Sequence, residues 1–168
     1  RNPDYVREEM IASKTAGQNA AFSYNKASDL EVNFYRNNFE IEGLSSRAFV
    51  SPFASNAQKF YNYKLLGRSV KSGRRIANIQ VMPKRRNEAV YMGNVYVVEG
   101  DWRIYGVDLN LTKEQANINL VDTLNISQQY IPITDSVWLP TSTHFDFHGD
   151  VLGFKFKGYY QAIYNNYN

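Results

Sequence analysis

The sequence predicts a mainly β protein built on a curved antiparallel meander sheet, a half-barrel of about seven or more strands. From Tyr61 onward, about seven successive segments alternate apolar and polar residues, with only short turns between them. This alternation places successive side chains on opposite faces of a strand, and short connections favour antiparallel neighbours. Aromatic residues, which favour strands, make up 15% of the chain, and 13 of them are tyrosines.

Residues 1–60 have a weaker pattern than the rest of the chain. The segments YVREEMIASK (Tyr5–Lys14), EVNFYRN (Glu31–Asn37) and FEIEGL (Phe39–Leu44) predict short strands, and Ser55 predicts the cap of a short helix over Asn56–Tyr61. The sheet that follows is expected to curl and to have one apolar face. We therefore expect one domain over 1–168, in which 1–60 form irregular strands, loops and one or more short helices packed in or over the concave face, and 61–168 form the meander.

The meander is predicted element by element from its alternation and its turns. A Gly-containing hairpin turn over Lys71–Arg74 joins the first two strands, and a second hairpin turns at Glu99–Asp101. KEQAN predicts one helical turn as a connector. The predicted strands are YNYKLLGRSV, RIANIQVMP, AVYMGNVYVVE, WRIYGVDLNLT, INLVDTLNISQQYIPI, DSVWLPTSTHFDFH and FKFKGYYQAIYNNY.

One face of the meander is expected to be apolar and aromatic. On it we place Leu120, Leu124, Ile126 and Tyr130 from one strand, then Val137, Leu139, Phe145 and Phe147 from the next, and Phe154, Phe156, Tyr160, Ala162 and Tyr164 from the last. Trp102 follows a turn and is predicted to close the edge of this face. If the concave face holds an apolar ligand, its predicted lining residues include Trp102, Tyr130, Phe145 and Phe147.

The net charge of +3 is mild but unevenly distributed, because no acidic residue lies between Glu42 and Glu88. Arg74 and Arg75 lie in one predicted turn and Lys84–Arg86 in another, at opposite ends of a strand and roughly 25–30 Å apart. This separation favours solvated hairpin tips, with a protein partner or anionic lipid headgroups as the alternatives. It disfavours nucleic acid, which needs clustered cations.

Groups that could carry chemistry are few. The chain has no cysteine, which excludes disulfides and thiol catalysis, and no long apolar run for a membrane-spanning helix. His144, Asp146 and His148 share one strand face in HFDFH, but His144 and His148 lie about 13 Å apart and cannot share one ion. We predict no metal, no cofactor and no catalytic residue. Asp108 and Asp122 could face each other, and pairing with a Lys or Arg is favoured over catalysis.

Several runs resemble a known but uncharacterised family. They are FVSPFASNAQKFYNYKLLG, IQVMPKRRNEAVYMGNVYVVEGDWRIYGVDLNLT and VDTLNISQQYIPI, and the resemblance extends from about Ile11 to Tyr167. Members of this family resemble Gram-negative outer-membrane proteins, with an N-terminal carboxypeptidase-regulatory-like domain, a middle region like this one and a C-terminal membrane β-barrel. The resemblance implies a piece of a longer chain at the periplasmic face of the outer membrane, with the flanking domains as partners, and no peptidase activity.

The order of strands is also similar to that of the half-barrel lipoprotein carriers of the periplasm, which hold acyl chains in a concave face. Three hypotheses therefore remain open at this point. The first is a non-enzymatic interaction or assembly domain that binds another envelope protein or lipid. The second is a carrier or sensor of an apolar ligand, and the third is a metal-dependent hydrolase that uses His144 or Asp146.

Overall fold

The computed structural model describes residues 32–40, 47–116, 121–135, 137–151 and 153–164. The strand predicted over Tyr5–Lys14 and the position of Leu120 lie outside these ranges, and the FEIEGL strand lies partly outside them. The elements in chain order are β1 (Asn38–Phe39), β2 (Phe49–Val50), a 3-10 helix (Ala57–Lys59), β3 (Tyr61–Lys71), β4 (Arg74–Pro83), β5 (Met92–Val98), β6 (Ile104–Thr112), α1 (Lys113–Ala116), β7 (Thr123–Pro132), β8 (Trp138–Val151) and β9 (Phe154–Ile163).

Strands β3 to β9 form one seven-stranded antiparallel sheet in which each strand pairs with its neighbours in sequence. The predicted meander is confirmed. A contact between distant strands shows that the sheet is curved. The Cζ atom of Arg74 in β4 lies 5.3 Å from the ring centre of Trp138 in β8. In a flat sheet, strands four positions apart would be separated by about 19 Å. Among the described strands, β3 and β9 pair on one side only, so the sheet does not close into a barrel.

Two predicted hairpins are confirmed, and each uses left-handed backbone at its turn. Ser72 and Gly73, with φ of 48° and 74°, form the two-residue turn between β3 and β4. Positive φ at both positions matches the twist of the flanking strands. Between β5 and β6 the Trp102 N–H donates to the Val98 carbonyl oxygen at 2.8 Å. The predicted helical turn in KEQAN is the short helix α1.

The segment that precedes β3 covers the apolar face of the sheet with aromatic side chains. Phe34, Phe39 and Phe49 surround Tyr91, with ring centres 5.6–5.7 Å from the tyrosine ring, and all four side chains are buried. Strands β1 and β2 form a separate two-stranded sheet within this cover. The same core includes Val95, Leu109, Leu111, Leu124, Ile126 and Phe145 from the large sheet.

Buried hydrogen bonds attach this cover to the sheet. The Tyr61 hydroxyl donates to the Val50 carbonyl oxygen at 2.5 Å and accepts from the Tyr91 N–H at 3.0 Å. The Gln128 side chain donates to the Val32 carbonyl oxygen at 3.0 Å. Since unpaired polar groups are costly when buried, these bonds fix where the cover lies on the sheet.

Two local predictions in the cover are wrong. Residues 32–37 do not form a strand, because the Asn33 side chain accepts the Tyr35 N–H at 3.0 Å and turns the chain. Ser55 does not cap a helix over 56–61, because the helical turn begins one residue later, with Asn56 at its N-cap position and no side-chain cap hydrogen bond. The helical segment is a single 3-10 turn that ends before β3.

The predicted inward face of β8 changes at a β-bulge. Gln129 pairs with Ser142 and Tyr130 with Pro140, which leaves Thr141 unpaired. An extra residue shifts the alternation by one position. Trp138 is therefore buried, while Val137, which was expected on the apolar face, is 45% exposed.

Candidate interaction surface

Strand β3 is exposed along almost its whole length. Ten of its eleven residues are exposed, and Tyr61 is its single buried residue. The strand pairs with β4 on one side and with no described strand on the other. An open strand edge presents unpaired N–H and C=O groups that another strand can bind. The edge of β3 is therefore a candidate site for pairing with an extended segment.

The side chains of β3 add apolar area to this open edge. Its exposed apolar residues are Tyr63, Leu65, Leu66 and Val70. We call these four side chains and the adjacent open backbone edge the β3 surface. Leu66 is the extra residue of a bulge, because Leu65 pairs with Ile79 and Gly67 pairs with Asn78. Single exposed apolar residues are ordinary on proteins, whereas several on one strand indicate an interaction site.

The charges on β3 are all positive. Lys64, Arg68 and Lys71 lie on the strand, and no acidic residue does. Arg68 Nε lies 2.5 Å from Glu99 Oε1, and Arg75 Nε on β4 lies 3.5 Å from Oε2 of the same carboxylate. The two basic groups that the sequence indicated do lie at opposite ends of β4, since that strand begins at Arg74 and Lys84 follows its last residue. Arg74 and Arg75 are, however, the first residues of the strand and not part of the turn.

The four predicted ligand-lining residues are in different environments. Trp102 is 69% exposed in the β5–β6 turn, with φ of 55°, and does not close the edge of the apolar face. The reason is that the turn extends to Arg103, so Trp102 precedes β6 instead of lying in it. Tyr130 and Phe145 are buried, and Phe147 is half-buried against the core, with its ring over Gly158 on β9. The last three share the covered face of the sheet.

Around Tyr130 this covered face carries a polar network. The Tyr130 hydroxyl donates to Gln128 Oε1 at 2.6 Å, and Gln128 Nε2 donates to Thr143 Oγ1 at 2.9 Å. The ring of Tyr35 from the cover packs edge-on against Tyr130, at 5.8 Å between centres. Burial raises the pKa of Tyr130, so this hydroxyl stays protonated and remains a hydrogen-bond donor.

The histidine–aspartate segment lies on the opposite, solvent-accessible face of β8. His144 Nε2 is 2.9 Å from Asp146 Oδ2, and both side chains are partly exposed. The ring of Tyr159 on β9 lies 6.0 Å from the His144 ring. Among the residues that the structure describes, no three His, Cys, Asp or Glu side chains come together as a metal site. His144 and Asp146 thus contact each other, while His148 lies further along the exposed face.

The two aspartates do not face each other. Asp122 lies 3.7 Å from Lys113 of α1, which agrees with the expected pairing to a cation. Asp108 is opposite Asn94 and Ser127 in the sheet and accepts a hydrogen bond from the Tyr96 hydroxyl. Burial and this hydrogen bond raise the pKa of Tyr96. Both carboxylates therefore have structural partners on the surface of the sheet.

These features define an open, curved antiparallel sheet with an aromatic N-terminal cover and an edge strand, β3, that is exposed along almost its whole length. The chain belongs to the family of unknown function DUF5686, whose model matches residues 1–167. Comparisons with curated proteins and with solved structures found no match. No helix within the described ranges has the length and apolar character needed to cross a membrane.

The sequence contained a signal for the β3 surface that simple alternation does not capture. The adjacent residues Leu65 and Leu66 break the period of two, and they mark the bulge. Lys64 and Arg68 on either side place charge next to apolar residues, a combination suited to an exposed edge. What the sequence could not show is that every residue of this strand after Tyr61 is exposed.

Proposed function

We propose that this chain is a non-enzymatic interaction module that binds an extended protein segment along β3. Its place is the periplasmic face of the outer membrane, within a longer outer-membrane protein, and its partner is another envelope protein. The observation that carries the proposal is the exposure of β3 on both faces and along one backbone edge. The resemblance of the sequence to outer-membrane proteins supports the location.

Strand addition suits the geometry of β3. Eleven residues span about 35 Å, which is enough for a partner strand of ordinary length. In this mode of binding, backbone hydrogen bonds supply affinity and the alternate side chains supply selectivity. Because the charges of β3 are all positive, the complementary segment is apolar and acidic. The other groups considered for chemistry, His144 and Asp146, contact each other on an exposed strand face, and no third metal-ligating side chain joins them among the described residues.

The opposite edge of the sheet provides a matched control. Val70 on β3 and Ile163 on β9 are both 69% exposed apolar residues on outer strands. A benzophenone side chain introduced at position 70 of the intact protein in cells is expected to crosslink a protein partner, and the same group at position 163 is not. Equal crosslinking at the two positions, or none at position 70, would contradict the proposal.

The introduction of acidic side chains on β3 tests whether the β3 surface binds the partner. The double substitution Leu65→Glu with Val70→Glu is expected to abolish the crosslink from a third position on β3, such as Asn62, because it repels an acidic segment. Ile163→Glu is the control and should leave this crosslink unchanged. A crosslink that persists in the double variant would exclude the β3 surface as the binding site.

The carrier hypothesis is less well supported by the structure. Tyr130 and Phe145, two of the predicted lining residues, pack against the cover and the core. The cavity beside Tyr130 has a volume of only about 320 Å³ and is lined in part by cations. A fluorescent long-chain alcohol, which has an acyl-type chain but no charged group, is therefore expected to show no saturable uptake. Saturable uptake that the β3 substitutions do not affect would favour the carrier over the interaction module.

A further inference from the structure

A cavity of about 320 Å³ lies at the end of the sheet that contains the β3–β4 turn. It is bounded by that turn, the beginning of β6, the end of β7 and the beginning of β8. Its volume is at the lower end of the range for small-molecule sites. The side chains that matter for its chemistry are Lys71, Arg74, Tyr105, Tyr130, Pro132 and Trp138.

The charge on the wall of this cavity is positive and uncompensated. Lys71 and Arg74 are directly opposite each other in the β3–β4 ladder. Like charges in this position repel each other and destabilise the pair. Neither forms an ion pair with any described residue, and no acidic residue lines the cavity. A bound anion would remove this repulsion.

The neighbouring arginines, unlike Lys71 and Arg74, do have an acidic partner. Arg68 and Arg75 lie at the same end of the sheet, and both pair with Glu99. Alternation along the strands puts Arg75 on the face opposite Arg74. Thus one carboxylate neutralises the cations outside the cavity, while the two cations that line it have none.

The Arg74 side chain is already oriented by an aromatic ring. Its Cζ atom lies 5.3 Å from the ring centre of Trp138, which is only 8% exposed. A guanidinium held by an aromatic ring keeps donors available for a carboxylate or phosphate, which it can bind through two parallel hydrogen bonds. Tyr105, Tyr130 and Pro132 supply the apolar part of the wall.

We propose that this cavity binds a small organic oxyanion, a carboxylate or phosphate group on a compact apolar body. Arg74 and Lys71 hold the charged group, and the ring of Trp138 together with Pro132 and Tyr105 contacts the apolar body. Lys71 is the last residue of β3, but the tests of this proposal depend on Arg74 and Trp138, which lie outside that strand, so either proposal can fail without the other.

The fluorescence of Trp138 provides the measurement. The chain has one other tryptophan, Trp102, and its replacement leaves Trp138 as the single tryptophan emitter. In a Trp102→Phe background, the probes are 3-phenylpropanoate, phenyl phosphate, inorganic phosphate and the neutral 3-phenylpropanol. At least one aromatic anion is expected to change Trp138 emission saturably, at concentrations at least tenfold lower than the neutral alcohol or inorganic phosphate. The tighter of the two aromatic anions identifies the preferred charged group.

Two adjacent arginines make a matched pair of variants. Arg74→Gln is expected to weaken binding of the preferred anion at least tenfold, and Lys71→Gln severalfold. Arg75→Gln removes the same charge from the neighbouring position and should leave the affinity within twofold. Thermal unfolding of each variant checks that the fold is retained. No saturable response to either aromatic anion, or an equal loss in Arg74→Gln and Arg75→Gln, would overturn the proposal.

Discussion

Strands β3 and β7 have similar lengths and similar apolar residues but opposite environments. In β7, Leu124, Ile126 and Tyr130 are buried, whereas Leu65 and Tyr63 in β3 are more than 40% exposed. The difference comes from their neighbours. β7 pairs with strands on both sides and has the cover on one face, while β3 pairs with β4 alone. Apolar residues on β7 therefore stabilise the fold, and those on β3 are available for binding.

The largest expected effect is the difference in protein stability between substituting a buried leucine of β7 and an exposed leucine of β3. Leu124→Ala removes a side chain that is 1% exposed and is expected to lower the free energy of unfolding by about 2–5 kcal/mol, because it leaves a cavity. Leu65→Ala, at 45% exposure, should cost less than about 1 kcal/mol. Urea unfolding of the two variants measures both values. Similar losses would show that β3 is part of the folded core.

An intermediate effect is expected at the buried polar network of β7. Gln128→Leu leaves the Val32 carbonyl and the Tyr130 hydroxyl without their partner, so we expect a loss of about 1–3 kcal/mol. The neighbouring Gln129→Leu is the control, because Gln129 is exposed and should change stability by less than about 0.5 kcal/mol. If Gln128→Leu leaves the free energy of unfolding unchanged, the network does not hold the cover on the sheet.

The smallest effects are expected at two buried tyrosines near the buried end of β3. The Tyr61 hydroxyl bonds to both Val50 and Tyr91, so Tyr61→Phe should cost about 1–2 kcal/mol. The Tyr91 hydroxyl has no hydrogen-bond partner among the described residues, so Tyr91→Phe should be neutral or stabilise by about 1 kcal/mol. Thermal unfolding of the pair measures the difference. A larger loss in Tyr91→Phe than in Tyr61→Phe would reverse this assignment.

The burial of these tyrosines also changes their pKa. Burial raises the pKa values of Tyr61 and Tyr91, and it raises the pKa of Tyr63, where β3 emerges from the cover, to about 12. An unfolded tyrosine loses its proton near pH 10, so the unfolded chain is favoured as the pH rises above this value. The fold around the buried end of β3 is thus expected to lose stability as the pH rises above about 10, because these buried hydroxyls keep their protons while those of the unfolded chain lose them.

The regular part of the sheet could be predicted from the sequence because its signals are local. Alternation over β7 and β9, the Ser72–Gly73 turn and the β5–β6 hairpin each depend on neighbouring residues. The failures have more than one cause. A side-chain hydrogen bond at Asn33 turns the chain where a strand was expected, and the helix expected after Ser55 is a single 3-10 turn. A bulge at Thr141 turns Trp138 inward.

The sequence by itself determined the class of fold, the order of its strands and the positions of the basic turns. Periodicity and turn chemistry act over a few residues and need no knowledge of contacts. The tertiary structure decided which apolar residues are covered, because burial depends on which elements pack on each strand. It left Leu65 and Val70 on an open edge, and it brought Arg74 to Trp138 although three strands lie between them in the sheet. Both candidate sites arise from these long-range placements, since curvature and edge position belong to the whole sheet and not to any one segment.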